Sequence, residues 1–340
     1  MIFTRNKMSN LTRKMSAFKY PKYFLTSLYN YHLIKHRKIS NLMLYVTNRC
    51  NSLCKHCYIW AAKPKHDLTL DAIRNVLNSK YLLKSASIGL EGGEFFMHPQ
   101  WREILKLMKG KNYVLLTNGI MTDLVIQAVE DFKVPALQLS IEGNAETYKE
   151  IRGVDKYTNI MRIIHELKDK TQIRIAYTFT PWNTQEDFDH VKKMCEDNNI
   201  QFGYENVYSD MPLMETKQGL NKMDVLDNQE SRYLKNYNSW FMKTTKIPCM
   251  SIFTKIVVLP TGDIPLCQHE NVLLGNVNTT DFDIIWNAEN TIQTQKKYNT
   301  NCNNCWVGFH RGFDVNYIHA LEKILPKSVV ERIIGRYVLK

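Results

Sequence analysis

From residue 41 to about residue 208, short apolar runs alternate with amphipathic segments of helix length. Short apolar runs indicate buried strands, and apolar positions that recur every three or four residues indicate helices. The predicted strands span residues 41–47, 86–94, 113–119, 136–143, 173–180 and 200–208. The predicted helices span residues 70–84 (with Thr69 as N-cap), 98–109, 123–132, 159–170 and 186–199. Strands that are separated by single helices predict right-handed crossovers and a parallel sheet.

The fold class is therefore α/β, with a partial (β/α)6 TIM-like barrel whose ligands bind at the C-terminal ends of the strands. Beyond residue 208 the alternation stops, and residues 209–238 are polar with few β-branched side chains. Residues 255–267 predict a β-hairpin that turns at Pro260–Asp263, and residues 282–289 predict a short helix. The predicted organisation is an N-terminal arm (1–40), the barrel core (41–210), a bridging helical segment (211–245), a small hairpin/helix domain (246–310) and a helical C-terminal segment (311–340).

Charge sets the N-terminal arm apart from the rest of the chain. No Asp or Glu precedes Asp67, whereas 13 of the 45 Lys and Arg residues lie before it. Such an arm suits either a solvated extension or contact with an anionic partner, such as a membrane surface or a nucleic acid. No apolar run approaches the roughly 18 residues of a transmembrane helix, and no secretory signal is present, so we expect a cytoplasmic location.

The eight cysteines in such a chain indicate metal ligands or catalytic groups more often than disulfides. Cys50, Cys54 and Cys57 follow the first predicted strand directly, with the spacing C-x3-C-x2-C. A structural zinc site needs a fourth ligand, and His56 adjoins Cys57 too closely to point inward with it. An iron–sulfur cluster that is held by only three cysteines keeps one iron open for another ligand.

This triplet resembles the signature of the radical S-adenosylmethionine (radical SAM) superfamily. The resemblance implies that Cys50, Cys54 and Cys57 bind a [4Fe-4S] cluster whose open iron is chelated by S-adenosylmethionine. His56 stands where the family usually has an aromatic residue, and this departure should still allow stacking.

Three later motifs resemble further elements of the same family, and each ends a predicted strand. Singly, a GG pair or a TNG sequence is more often only a turn, so their order after the triplet carries the resemblance. Glu142 stands where the family more often has Asp. The resemblance implies cosubstrate contacts by the GGE element (Gly92, Gly93 and Glu94), by Asn118, by Ser140 and Glu142, and by Arg152.

A second set of cysteines, Cys249, Cys267, Cys302 and Cys305, lies in the C-terminal third of the chain. Four thiolates can hold either a zinc ion or a [4Fe-4S] cluster, and their spacing alone does not choose between the two. The arrangement resembles the twitch domain, the shorter form of the SPASM extension, which implies one auxiliary [4Fe-4S] cluster. Cys195 is left over on a predicted helix and receives no chemical role.

The resemblance implies reductive cleavage of S-adenosylmethionine to a 5′-deoxyadenosyl radical that abstracts a hydrogen atom from a substrate. It also implies an electron donor such as flavodoxin or ferredoxin. The short arm favours a small-molecule or lipid-linked substrate, and a peptide is the alternative. Two other classes stay open: a zinc-binding, nucleic-acid-associated protein and a scaffold that keeps a cluster without turnover.

Overall fold

The computed structural model describes residues 2–3, 37–206, 210–211, 216–217 and 236–339. Of the three short ranges only the backbone is described. Most of the predicted arm and of the predicted bridging segment therefore lies outside the described residues. None of the described helices is both long and apolar enough to cross a bilayer.

The core of the fold is one eight-stranded sheet in which all neighbouring strands except one pair are parallel. The strands are, in spatial order, β1 (Ile2–Phe3), β7 (Gln201–Asn206), β6 (Gln172–Phe179), β5 (Ala136–Ser140), β4 (Asn112–Thr117), β3 (Leu82–Glu91), β2 (Ile39–Tyr45) and β10 (Lys255–Val258). Strand β1 is the exception and runs antiparallel to β7. Because β1 and β10 lie at opposite edges, the sheet is open and does not close into a barrel.

Helices connect the strands of this sheet and cover one of its faces. They are α1 (Leu70–Leu77), α2 (Trp101–Leu107), α3 (Thr122–Phe132), α4 (Ala145–Arg152), α5 (Tyr157–Leu167) and α6 (Gln185–Asp197). Thr69 is the N-cap of α1, as predicted, because its side chain accepts a hydrogen bond from the Ala72 N–H. The predicted helix over 70–84 is too long, since the chain already enters β3 at Leu82. Helix α4 was not predicted, although Asn144 caps it by accepting from two backbone N–H groups.

The two faces of the sheet differ because side chains alternate along each strand. Leu42 and Leu44 of β2 lie in the large core that the helices cover. Met43 and Tyr45 point the other way, into a small cluster with Val257. We call this second side the inner face; it carries half-buried polar residues and leads to the C-terminal ends of the strands.

The C-terminal region contributes to the main sheet as well as forming structure of its own. Its elements are α7 (Tyr237–Phe241), a 3-10 turn (Ser251–Phe253), β11 (Asp263–Pro265), β12 (Leu273–Asn276), α8 (Phe282–Asn287), α9 (Glu289–Asn301), a π-helical turn (Gly308–Gly312), α10 (Phe313–Glu322) and α11 (Lys327–Ile334). Strands β8 (Asp210–Met211) and β9 (Thr216–Lys217) pair only with each other.

The prediction of one hairpin over 255–267 is wrong. The turn forms, since the Gly262 N–H donates to the Leu259 carbonyl over 2.9 Å. The strands on its two sides nevertheless join different sheets: β10 pairs in parallel with β2, and β11 pairs with β12. The apolar residues of β10 are buried on both faces, which an edge of the large core allows and a small hairpin would not.

We predict that Ile256→Ala destabilises the whole protein, because Ile256 of β10 lies in the large core, 2% exposed. Truncation of a buried Ile typically costs about 2–5 kcal/mol of unfolding free energy. The matched control is Ile284→Ala, since Ile284 is 65% exposed and its truncation should cost no more than about 0.5 kcal/mol. Urea denaturation measures both, and equal small losses in the two variants would contradict the assignment of β10 to the main sheet.

Candidate metal centres

The first cysteine loop leaves the C-terminal end of β2 and rests on the end of α4. The Leu53 N–H donates to the Arg152 carbonyl over 3.0 Å, and the Lys55 N–H donates to the Ile151 carbonyl over 2.8 Å. These bonds fix the centre of the loop that carries Cys50, Cys54 and Cys57. The three thiols lie close enough together to act on each other electrostatically.

The thiols of this loop are shielded from water. The pKa of the Cys50 thiol is raised to about 12, mainly by burial and also by the neighbouring Glu94, Cys54 and Cys57. Burial likewise raises the pKa of the Cys57 thiol to about 11, with a further contribution from Cys54. Buried thiolates so close to one another need compensating positive charge, which bound iron would supply.

One positive charge of the protein already faces the loop. The Arg152 guanidinium lies 3.5 Å from the Cys54 Sγ, and the Ser52 hydroxyl lies 3.1 Å from the same sulfur. Arg152 also makes two hydrogen bonds to Glu142, whose side chain is fully buried. A two-point ion pair of this kind holds the guanidinium in a fixed orientation. The predicted cosubstrate contacts Glu142 and Arg152 are therefore paired with each other in this structure.

The GGE element packs directly against the backbone at the start of the cysteine loop. The Gly93 N–H donates to the Thr47 carbonyl over 2.7 Å, and the Glu94 N–H donates to the Arg49 carbonyl over 2.8 Å. A Cβ on Gly92 would lie 2.4 Å from the Thr47 carbonyl oxygen, and one on Gly93 would lie 2.2 Å from that of Arg49. Gly92 also has a φ of +152°, which residues with a side chain rarely adopt. Only glycine allows this contact.

Glu94 and Asn118 meet beside Cys50. The buried Glu94 carboxylate accepts hydrogen bonds from the Thr117 hydroxyl and the Asn118 N–H, both over 2.8 Å. Burial raises the pKa of this carboxyl, whereas those hydrogen bonds lower it. The Asn118 side chain donates to Asn51 over 2.8 Å and lies 3.8 Å from the Cys50 Sγ.

The remaining predicted contact, Ser140, ends β5 and is half-buried. In the sheet it lies opposite Ala176 of β6, two strands away from β3 and the GGE element. The structure thus places two groups of predicted cosubstrate contacts near the cysteines, one around Cys50 and one around Cys54. Among the described residues, no direct contact joins Ser140 to either group.

The second cysteine set surrounds a single cavity in the C-terminal domain. The cavity is lined by all four predicted ligands, Cys249, Cys267, Cys302 and Cys305, and by residues that include His269, Glu270 and His310. Burial raises the pKa of the Cys305 thiol to about 12, and the charges of Cys249 and Cys302 raise it further, whereas Arg311 lowers it. Cysteines from three separate places in the sequence, 249, 267 and 302–305, are therefore brought to one cavity.

The chemistry of this donor set fits an iron–sulfur cluster. Four cysteines line one cavity, and a [4Fe-4S] cluster takes one thiolate on each of its four irons. A zinc ion also accepts four thiolates, so the donor set alone does not choose between the two.

A buried charge supports the loop of Cys302 and Cys305. The Arg311 side chain is fully buried and donates to the carbonyl oxygens of Cys302 and Cys305 over 3.1 and 3.2 Å. It also lies 3.4 Å from Asp314, which accepts hydrogen bonds from the N–H groups of Met250 and Ser251. Through these bonds, Arg311 and Asp314 connect the backbone segments that carry Cys249, Cys302 and Cys305. The sequence analysis missed both, because nothing in their spacing relates them to the cysteines.

The sequence analysis also missed a chain of polar side chains on the inner face. The Gln268 amide donates to the Tyr45 hydroxyl over 2.6 Å, and that hydroxyl is hydrogen-bonded to Glu91. Burial raises the pKa of the Glu91 carboxyl to about 7, and the bond from Tyr45 opposes this shift. Gln268 adjoins Cys267, and Glu91 adjoins Gly92, so the chain links the two candidate centres. The sequence feature that could have revealed this chain is the alternation of side chains along β2. Because of this alternation, Tyr45 points to the inner face whereas Leu44 points to the helix-covered core.

Two family models match this chain, one over each set of cysteines. The model of the radical SAM superfamily matches residues 44–196, and that of the SPASM iron–sulfur cluster-binding domain matches residues 249–306. The two matches cover the two cysteine sets separately, the second from Cys249 to the residue after Cys305.

Two curated relatives differ in how much of the chain they match. A probable GTP 3′,8-cyclase of Methanocaldococcus jannaschii is 25% identical over 146 residues, which are 41% of this chain and 48% of that protein. The subtilosin biosynthesis protein AlbA of Bacillus subtilis is 22% identical over 266 residues, which are 72% of this chain and 58% of that protein. The chain thus spans only about half the length of the curated relatives that it matches.

Solved structures share the fold at low sequence identity. Streptococcus suis SuiB bound to S-adenosylmethionine has a TM-score of 0.61 at 15% identity, over 84% of this chain and 73% of that chain. The protein anSMEcpe, with bound S-adenosylmethionine, has a TM-score of 0.54 at 17% identity, over 76% of this chain and 83% of that chain. The fold is confirmed as an α/β core of the radical SAM type, followed by a SPASM region. Residues 44–196 of the chain are a radical SAM domain, and residues 249–306 are a SPASM iron–sulfur cluster-binding domain.

Proposed function

We propose that this protein modifies a peptide by removing hydrogen from it. The observation that carries the proposal is the extent of the alignment with AlbA, a bacteriocin biosynthesis protein, which covers 72% of the chain. The alignment with the probable GTP 3′,8-cyclase covers only 41% of it. In a related fold, SuiB has been crystallised with its precursor peptide SuiA. The first expectation from the sequence, a small or lipid-linked substrate, is therefore replaced by its alternative.

We assign the first cluster to Cys50, Cys54 and Cys57 and the auxiliary cluster to Cys249, Cys267, Cys302 and Cys305. When bound, the first cluster and S-adenosylmethionine supply the radical that takes a hydrogen atom from the substrate. Gly92, Gly93, Glu94, Asn118, Ser140, Glu142 and Arg152 remain the predicted cosubstrate contacts. Among them, Glu94 and Asn118 lie beside Cys50, and Arg152 lies beside Cys54.

Glu91 is our candidate for accepting a proton from the substrate. An oxidation that removes two hydrogens from a peptide would pass the first to the 5′-deoxyadenosyl radical as a hydrogen atom. The second would leave as an electron, which the auxiliary cluster would accept, and as a proton, which needs a base. Glu91 is half-buried on the inner face, between the first cysteine loop and Cys267, and its raised pKa suits such a base near neutral pH. Tyr45 and Gln268 hold the carboxylate in place through the hydrogen-bonded chain.

An electron donor such as flavodoxin or ferredoxin, a cytoplasmic location and contact of the basic arm with an anionic membrane surface remain predictions of the sequence. The arm carries the excess of positive charge, and residues 4–36 lie outside the described part of the chain.

Iron analysis tests the assignment of the two cysteine sets. We expect about eight irons in anaerobically reconstituted protein, at four per cluster, and about four in the variant in which Cys50, Cys54 and Cys57 are all Ala. Cys195→Ala is the matched control, because Cys195 is buried in α6, away from both sets, and this variant should keep about eight irons. Formation of 5′-deoxyadenosine under reducing conditions should disappear in the triple variant only. Retention of about eight irons there would contradict the assignment.

The choice of peptide over nucleotide can be tested by offering the two substrate classes in parallel reactions. Reduced protein is incubated with S-adenosylmethionine and either a randomised peptide library or GTP. We expect a peptide product that is lighter by two hydrogens, with one 5′-deoxyadenosine formed per product, detected by mass spectrometry. GTP should be recovered unchanged. Consumption of GTP, or the absence of any altered peptide despite 5′-deoxyadenosine formation, would refute a peptide substrate of this reaction type.

Glu91→Gln should reduce product formation about 10²–10⁴-fold, the usual contribution of a general base. In the parent protein the Glu91 carboxyl is protonated below its pKa of about 7 and cannot accept a proton, so product formation should rise as the pH rises through that value. The variant should lose this pH dependence and keep its affinity for S-adenosylmethionine. Glu146→Gln, on the exposed side of α4, is the control and should behave like the parent. An unchanged pH profile in Glu91→Gln would exclude the role.

A further inference from the structure

His310 faces the cavity of the auxiliary cysteines without being one of the predicted ligands. It lies in the π-helical turn Gly308–Gly312, directly before the buried Arg311, and is only 2% exposed. Its ring lines the same cavity as Cys249, Cys267, Cys302 and Cys305. Isolated π-helical turns are found frequently at functional sites, where they redirect a side chain.

The two ring nitrogens of His310 have different surroundings. Nδ1 lies 2.9 Å from the Ser251 hydroxyl oxygen, within hydrogen-bonding distance. Nε2 is buried and has no hydrogen-bond partner among the described residues. A buried polar atom that lacks a partner destabilises the fold, so such atoms in folded proteins nearly always find one. A partner inside the cavity would remove this cost.

The surroundings also determine what kind of partner suits Nε2. Burial lowers the pKa of His310 well below its usual range, and the nearby Lys255, His269 and Arg311 lower it further, so the ring is neutral. A neutral imidazole carries one N–H, and its position depends on the hydrogen bond that the other nitrogen makes. When the Ser251 hydroxyl donates to Nδ1, the proton is on Nε2, the ring nitrogen that has no partner among the described residues. The ligand that suits this group is an acceptor, such as sulfur.

We propose that the Nε2–H of His310 donates a hydrogen bond to a sulfur of the auxiliary cluster and thereby raises the reduction potential of that cluster. The four cysteines already supply one thiolate for each iron of a [4Fe-4S] cluster, so His310 is not needed as a ligand. A hydrogen bond to a cluster sulfur stabilises the reduced form more than the oxidised form, because the reduced cluster carries one more negative charge. Hydrogen bonds to the sulfurs are among the factors that set these potentials.

The contacts around Ser251 couple His310 to the cysteine set. The Ser251 hydroxyl lies 3.6 Å from the Cys249 Sγ as well as 2.9 Å from His310. Its N–H donates to Asp314, which pairs with Arg311 in the turn that carries His310. The histidine is therefore held by the same polar network that fixes Cys249, Cys302 and Cys305. The contact with Ser251 holds the ring at the wall of the cavity.

The potential is measured on the chain of residues 1–340 in which Cys50, Cys54 and Cys57 are Ala, so that only the auxiliary cluster gives a signal. In this background, His310→Leu should keep about four irons and shift the redox equilibrium at least threefold, and up to about tenfold, toward the oxidised form. A tenfold shift equals about 59 mV for a one-electron couple. His310→Gln, which keeps a donor N–H, should restore part of the shift. His165→Leu is the matched control, because His165 is exposed on α5, and it should leave the potential unchanged.

A second measurement keeps the proposal testable if His310→Leu does not hold its cluster. Labelling the histidines of the chain in which Cys50, Cys54 and Cys57 are Ala with ¹⁵N should give a weak coupling to the reduced auxiliary cluster in pulsed electron paramagnetic resonance. The coupling should persist in His269→Leu, which removes the other histidine of the cavity. A strong coupling would show that His310 binds iron directly, and no coupling would show that it does not contact the cluster; either result overturns the proposal. An unchanged potential in a four-iron His310→Leu protein also overturns it. None of these measurements uses a substrate, so their failure is distinct from failure of the proposed function.

Discussion

The close backbone contact between residues 92–94 and residues 47–49 is the constraint on which the first centre depends. Two neighbouring strands, β2 and β3, end at the same edge, and the glycines let their continuations run side by side without intervening side chains. The contact fixes the start of the cysteine loop, and α4 fixes its centre. Three thiols on an eight-residue loop are thereby held in one place although none of them lies in a helix or strand. A side chain at either glycine would separate the two backbones and loosen the loop.

The strand beside β2 at the lateral edge of the sheet, β10, also positions the second centre. Strand β10 comes from the C-terminal region, yet it pairs with β2 and shares both the helix-covered core and the inner face. Tyr45 of β2 can therefore reach Gln268, the residue after Cys267. The two cysteine sets are joined through a hydrogen-bonded sheet and a buried polar chain rather than through surface contacts, which tend to be wetter and more mobile.

The sequence predicted the parts of the fold and site that depend on local order along the chain. The strand–helix alternation, the cysteine spacing and the GGE element are all local, and the structure has them at the predicted places. The pairing of Arg152 with Glu142 escaped prediction because helix α4, which carries Arg152, was not recognised in a polar segment. Strand β10 escaped because the turn at Pro260–Asp263 is a strong local hairpin signal, whereas the strand partner is decided by burial against β2. His310 and Arg311 contact residues that are distant in sequence. Such contacts produce no regular spacing from which they could be predicted.

The pairing of β10 with β2 has a consequence for how the protein can change during evolution. The chain leaves the sheet after Asn206 and returns to it at Lys255, on the opposite side of the sheet. The separation of the two redox centres is set by adjacent strands and not by the length of the tether between those residues. Insertions or deletions between those residues can therefore leave the register of β10 on β2 unchanged, and with it the spacing of the two cysteine sets.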